Sequence, residues 1–246
     1  PKAVIGRFAS ALDKLASAGL IQTEGGTVRF AHETYFDHVF AAAFSLSGQS
    51  IEAWLTGSEQ HLFRRTQIRQ ILSFLRQNTS KPAYLEALRA VLTAPGIRYH
   101  VRDASARWLA RVPDPSDAEF ACVKIIADAR EPNGLQRTIL GGPSWFLQIS
   151  QSGLLQDWLL SDDETTHRLG IGVTARAFET WPTGAAEEAK RYWKVAGNAA
   201  IDSIRRIIFL ARLGSEIGPL IALAEALVDD PGFTPEMHRH HSEFGL

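Results

Sequence analysis

The chain reads as a mostly α-helical protein with a single β-hairpin near its start, and three observations carry that reading. Apolar residues recur three and four apart in one segment after another, the period of a helix with one buried face. Most prolines fall at the breaks between those segments. One stretch alone, residues 21–30, places two short β-prone arms on either side of Gly25-Gly26. Both glycines tolerate positive φ, so this pair permits a tight reversal.

In chain order, Val4, Phe8, Leu12 and Leu15 predict a first helix, which Gly19 stops. The hairpin follows. Phe36, Val39, Phe40, Ala43 and Phe44 then predict a helix of three to four turns with those residues as its apolar stripe. Ile68, Ile71, Leu72 and Leu75 form the next stripe, Tyr84, Leu88, Val91 and Leu92 another, and Val101, Ala104, Trp108 and Val112 a third. Near the end Ile217, Leu220, Ile221, Ala224, Leu227 and Val228 read as a clean amphipathic helix. Pro219 falls inside that pattern and is tolerable only in a first turn. Successive apolar faces of this kind bury one another by stacking, so a HEAT-like α-solenoid is favoured, with a closed helical bundle as the alternative.

Composition narrows the classes. Lys+Arg is 26 and Asp+Glu is 27, so the chain as a whole is not a basic nucleic-acid binder. The charge is nevertheless uneven. Residues 60–112 carry Arg64, Arg65, Arg69, Arg76, Lys81, Arg89, Arg98, Arg102, Arg107 and Arg111 against only Glu86 and Asp103, whereas the remainder is acidic. No apolar run approaches the ~18 residues of a membrane span, so no membrane association is expected. A single cysteine, Cys122, excludes an internal disulfide and fits a cytoplasmic location. Residue 1 is proline and the one methionine is Met237, which reads as a segment of a larger chain.

A helix, a Gly-Leu-Ile step, a Gly-Gly hairpin and a second helix, across residues 4–46, follow the order of the later part of a winged-helix domain. Within it, the run from Val28 to Ala41 (VRFAHETYFDHVFA) resembles a stretch of STAND NTPases, especially NACHT-type and bacterial antiviral members. Phe30, His32, Thr34, Tyr35, Asp37 and Ala41 match the pattern; His38 and Phe36 depart from it. The stretch from Ser58 to Leu72 is similar to the start of the helical arm in bacterial members, and beyond it only helical character agrees. The resemblance implies a C-terminal part of a winged helix over residues 1–48 and a helical-repeat sensor arm over 49–246. It also implies that His32 touches the phosphate of ADP or ATP, bound with Mg in the intact parent. It implies as partners an adjacent nucleotide-binding domain and a protein trigger such as a phage protein, with oligomerisation on activation. From position alone, His32 sits where helix N–H groups and the dipole favour an anion. The plainer reading is that it caps the helix or packs on the hairpin. Asp37, one turn beyond Glu33, is expected to pin the winged helix rather than form a catalytic pair.

The other candidates have plain alternatives too. Arg65, Arg69 and Arg76 fall within about 40° on a helical wheel, and Arg98 with Arg102 and Arg107 with Arg111 are four apart. They form a candidate partner-binding surface, and a salt-bridged face is the alternative. Nucleic acid is disfavoured because no aromatic or glycine-rich interleaving accompanies them. His238, His240 and His241 crowd together, but adjacent His240 and His241 diverge on a helix, so a polar chain end is expected and not a metal site. Ser161 reads as an N-cap followed by an acidic first turn, Asp162-Asp163-Glu164. Cys122, among Phe120, Val123 and Ile126, and the six tryptophans read as packing residues. No Walker loop, G-x-S-x-G elbow, H-E-x-x-H or C-x-x-C occurs. The segment is therefore expected to hold no cofactor of its own and to catalyse nothing. The expected function is the regulatory, trigger-sensing part of a STAND-type switch in antiphage defence. A winged-helix transcription regulator with a helical ligand or dimerisation domain, and a HEAT-like scaffold, are the alternatives.

Overall fold

The structure is a computed structural model that describes residues 9–24, 27–78, 81–126, 134–211, 214 and 216–230. Among these the chain is mostly helical, with one two-stranded antiparallel sheet. Contacts divide it into two compact units, residues 1–108 and 109–246.

In the first unit, α1 (Ala9–Ser17) ends in a Schellman turn. Gly19 takes φ +70°, its N–H donates to the Ala16 carbonyl, and Leu20 N–H donates to that of Leu15. Without a Cβ, Gly19 occupies this left-handed position at no steric cost. Strands β1 (Ile21–Glu24) and β2 (Thr27–Phe30) pair from Ile21↔Phe30 to Glu24↔Thr27, so the predicted hairpin is present. Gly25 and Gly26 themselves, like Val4 and Phe8, lie outside the described residues.

Helices α2 (Glu33–Leu46), α3 (Ile51–Thr56), α4 (Arg64–Asn78), α5 (Lys81–Thr93) and α6 (Tyr99–Leu109) follow. The stripes of α4 and α5 are buried as predicted: Ile68, Ile71, Leu72 and Leu75, then Tyr84, Leu88, Val91 and Leu92. The stripe of α2 is not. Asp37, Ala41 and Phe44 are buried, whereas Phe36 and Val39 remain 45% and 49% exposed. The helix is rotated from the expected face because it packs on α4. Phe36 instead meets the ring of Phe30 edge-on at 5.8 Å and stacks on Phe40 at 6.2 Å. Helix α2 packs on α4 and α3 on α5, so residues on both sides of position 48 share this unit.

The second unit contains α7 (Asp117–Ile126), α8 (Gly134–Leu140), α9 (Phe146–Gln151), α10 (Leu154–Leu159), α11 (Glu164–Ala177), α12 (Pro182–Ala196), α13 (Ile201–Leu210) and α14 (Gly218–Val228). Helix α7 begins with a reciprocal capping box. Ser116 N–H donates to Glu119 Oε2 at 2.7 Å, and Glu119 N–H donates to Ser116 Oγ at 3.3 Å. From α10 onward each helix touches the next, and α11 also packs on α13 and α12 on α14. Cys122 is buried and in no disulfide, beside buried Phe120 and Val123, as its apolar neighbours predict.

Helix α14 forms where predicted, with Pro219 in its first turn. Its buried face is again different. Leu223 and Leu227 are buried, while Ile217, Ile221 and Val228 are exposed. α12 and α13 pack on this helix, so the side that meets them decides burial, whichever apolar residues lie elsewhere on it.

Candidate functional site

The junction between β2 and α2 is built by two local signals. Ala31 N–H extends the ladder by donating to Leu20 O at 3.0 Å. His32 stays extended (φ −133°, ψ 141°) and stands at the N-cap, its carbonyl accepting from Tyr35 N–H at 3.1 Å. The His32 side chain makes no capping hydrogen bond. Its ring is exposed and lies edge-on to Tyr35, with centroids 5.7 Å apart. An exposed imidazole therefore stands beside the first-turn amides of a 14-residue helix, where the dipole favours an anion. Asp37, one turn further, is buried and is not an unpaired charge.

The five arginines expected to form one surface are in different situations. Arg65 and Arg69 are exposed on α4, whereas Arg76, on the same side, is half-buried and already engaged. Arg98 is exposed at the start of α6, and its backbone N–H donates to Gln60 Oε1 at 2.8 Å. Gln60 Nε2 also donates to Gly96 O at 2.8 Å, so this buried amide clamps the turn between α5 and α6. Arg102 does not join the surface. Its guanidinium donates to the Ala94 carbonyl, which also accepts from Ile97 N–H at 3.2 Å, just past the C-terminus of α5, where the helix dipole attracts a cation. Arg107 pairs with Asp103 at 3.0 Å, a surface contact of small energetic weight.

The acidic trio after Ser161 is shifted from expectation. Asp163, not Ser161, caps α11, accepting from Thr166 N–H at 2.8 Å, while Ser161 Oγ accepts from Asp163 N–H at 3.2 Å. Hydrogen bonds from the Thr166 side chain and backbone hold the Asp163 carboxyl below its ordinary value of 3.8, and Arg137, 3.3 Å away, acts in the same direction. A lowered pKa stabilises the fold above 3.8, and the contribution fades as pH falls through the lower folded value. Asp163→Ala is therefore expected to lower the melting temperature at neutral pH and to converge with the parent in acid. Parallel thermal melts across that pH range check this.

Several polar arrangements have no local sequence signal. Glu188, 3% exposed, accepts from Ser150 Oγ at 2.7 Å, Gln156 Nε2 at 2.5 Å and Arg191 at 3.0 Å, tying α9 and α10 to α12. His167 is fixed at both ring nitrogens, with Nδ1 2.7 Å from Leu159 O and Nε2 2.8 Å from Ser203 Oγ. A carbonyl can only accept, so Nδ1 carries a proton, and in the neutral ring Nε2 accepts from the serine. This has the spacing of a nucleophile and its base, but Ser203 is 7% exposed, which closes it to a substrate. It joins α10, α11 and α13 as a structural pin. Among the described residues no group of three metal-capable side chains occurs; His238, His240 and His241 lie outside them. Among the described residues no helix is long and apolar enough to cross a membrane. Compared with protein-family models, curated proteins and solved structures, the chain matches none.

Proposed function

We propose that the chain is the regulatory and trigger-sensing segment of a STAND-type NTPase switch of the antiphage kind. In this reading residues 1–48 are the end of a winged helix, and residues 49–246 are a HEAT-like arm that recognises a protein trigger. The observation that carries it is His32: an exposed imidazole at a strand-to-helix junction, with no capping bond of its own, beside amides that favour a phosphate. The packing of α11 on α13 and of α12 on α14 supports a stacked array.

The mechanism is a biased two-state equilibrium. His32 donates a hydrogen bond to a phosphate oxygen of ADP held mainly by the adjacent nucleotide-binding domain, and so favours the closed state. ATP, with Mg, rearranges that contact. The ligand moves the switch only by its differential affinity for the two states. The segment itself hydrolyses nothing, and oligomerisation follows opening.

One charge-assisted hydrogen bond contributes about 1.5–3 kcal/mol. His32→Ala, placed in the chain joined to its nucleotide-binding domain, is therefore expected to weaken ADP retention by roughly tenfold to a hundredfold and to raise basal activity. Nucleotide content after gel filtration and basal activity measure this. Unchanged ADP occupancy together with unchanged activity would falsify the sensor role. The isolated segment is expected to bind nucleotide weakly or not at all.

A further inference from the structure

Two kinds of side chain that a lone helix would not select meet at the start of α4. Leu62 and Phe63, in the turn before it, are 63% and 84% exposed. Arg65 and Arg69 are exposed on its first two turns. A spacing of four residues places Arg65 and Arg69 on one side of the helix, and Leu62 in the turn before it is tied to Arg65 by the Arg65 N–H, which donates to its carbonyl at 3.2 Å. Phe63 adjoins them, its carbonyl accepting from Thr66 and Gln67 N–H at 3.1 and 3.3 Å.

Helix stability does not account for this set. Cations in a first turn oppose the helix dipole, and the first turn of α4 has no acidic residue to offset them. The nearby charges are engaged elsewhere. Arg64 lies 4.2 Å over the Trp54 ring and donates to Ser58 Oγ and Gln67 Oε1, each at 2.9 Å. Glu59 sits 3.4 Å from His61, and Asp103 holds Arg107. Across residues 60–112 the only acids are Glu86 and Asp103, so this stretch lacks the carboxylates to neutralise its own surface. The complement must be acidic, and it must offer apolar area to Leu62 and Phe63.

We propose that Leu62, Phe63, Arg65 and Arg69 form a docking surface for an acidic polypeptide segment that carries an apolar anchor. Carboxylates on the segment take the planar guanidinium forks of Arg65 and Arg69, and its anchor lies on the exposed Leu-Phe pair. A polypeptide fits better than a nucleic acid, because Leu62 offers no stacking face and two cations neutralise few phosphates. The surface stands on α4 and the turn before it, so it does not rest on His32 or on nucleotide.

The test is an anisotropy titration of the whole chain with a labelled glutamate-rich dodecapeptide holding a central Leu-Phe pair. An all-glutamate peptide of equal length and a labelled single-stranded oligonucleotide serve as comparators. The Leu-Phe peptide is expected to bind most tightly and to weaken with salt. Arg65→Glu with Arg69→Glu, and separately Phe63→Ser, should each weaken it by about tenfold or more. Should the charge-reversed pair not fold, Arg65→Gln with Arg69→Gln is read in the same titration. Absence of binding, indifference to these substitutions, or tighter binding of the oligonucleotide each overturns the proposal. His32→Ala should titrate like the parent, so loss of the nucleotide reading leaves this result standing.

Discussion

Replacing Trp145 with alanine is expected to cost about 3–5 kcal/mol of stability, a large share of the ~5–15 kcal/mol that holds native domains folded. Trp145 is fully buried, and its indole N–H donates to the Leu109 carbonyl at 3.0 Å. Its ring also lies 6.5 Å from that of Phe120. Alanine removes the packing, leaves a cavity, and takes away one of the two hydrogen bonds to the Leu109 carbonyl, which keeps the one from Val112 N–H at 3.2 Å. Trp145→Phe separates these contributions. It keeps most of the ring volume and loses the hydrogen bond, and the Leu109 carbonyl keeps its bond from Val112 N–H, so it should cost about 0.5–1.5 kcal/mol. Urea denaturation followed by circular dichroism measures both; a loss under ~1 kcal/mol for the alanine variant would place Trp145 outside the core that supports its unit.

Gly142→Ala should also destabilise severely, by about 3 kcal/mol or more. Gly142 has φ −70°, a value alanine adopts freely, so backbone strain is not the cause. A Cβ there would stand 2.1 Å from the Ala110 carbonyl oxygen and 2.9 Å from its carbon. Both are backbone atoms, which cannot move aside like the end of a side chain. Gly218→Ala is the control: it has negative φ and no neighbour within 4 Å, so it should be neutral or stabilise slightly. Gly142 and Trp145 press on consecutive carbonyls, those of Ala110 and Leu109, so their effects should be non-additive in the double variant.

Much of the local structure was legible in the sequence. Gly19 as a helix stop, the hairpin arms around Gly25-Gly26, Pro219 in a first turn, and the buried stripes of α4 and α5 follow from dihedral preference and period alone. The Ser116–Glu119 capping box was equally readable, being a Ser-x-x-Glu before an apolar run, and was missed. The position of His32 at the strand-to-helix junction was legible as well. Its exposure was not, because either a capping side chain or an open one satisfies the same pattern. Likewise Arg65 and Arg102 look alike as cations on amphipathic helices, and only one of them is exposed on the surface.

The sequence by itself determined the helical class, the hairpin and the stop at Gly19, because these depend on residues within a few positions of one another. Only the tertiary structure decided which face α2 and α14 bury. Helix α2 has apolar side chains around much of its circumference, and contact with α4 chose Asp37, Ala41 and Phe44 over Phe36 and Val39. The same holds for Gln60 with Gly96 and Arg98, for Glu188 with Ser150 and Gln156, and for His167 with Ser203. These partners lie more than thirty positions apart, and a hydrogen bond of such reach exists only once packing has brought the helices together.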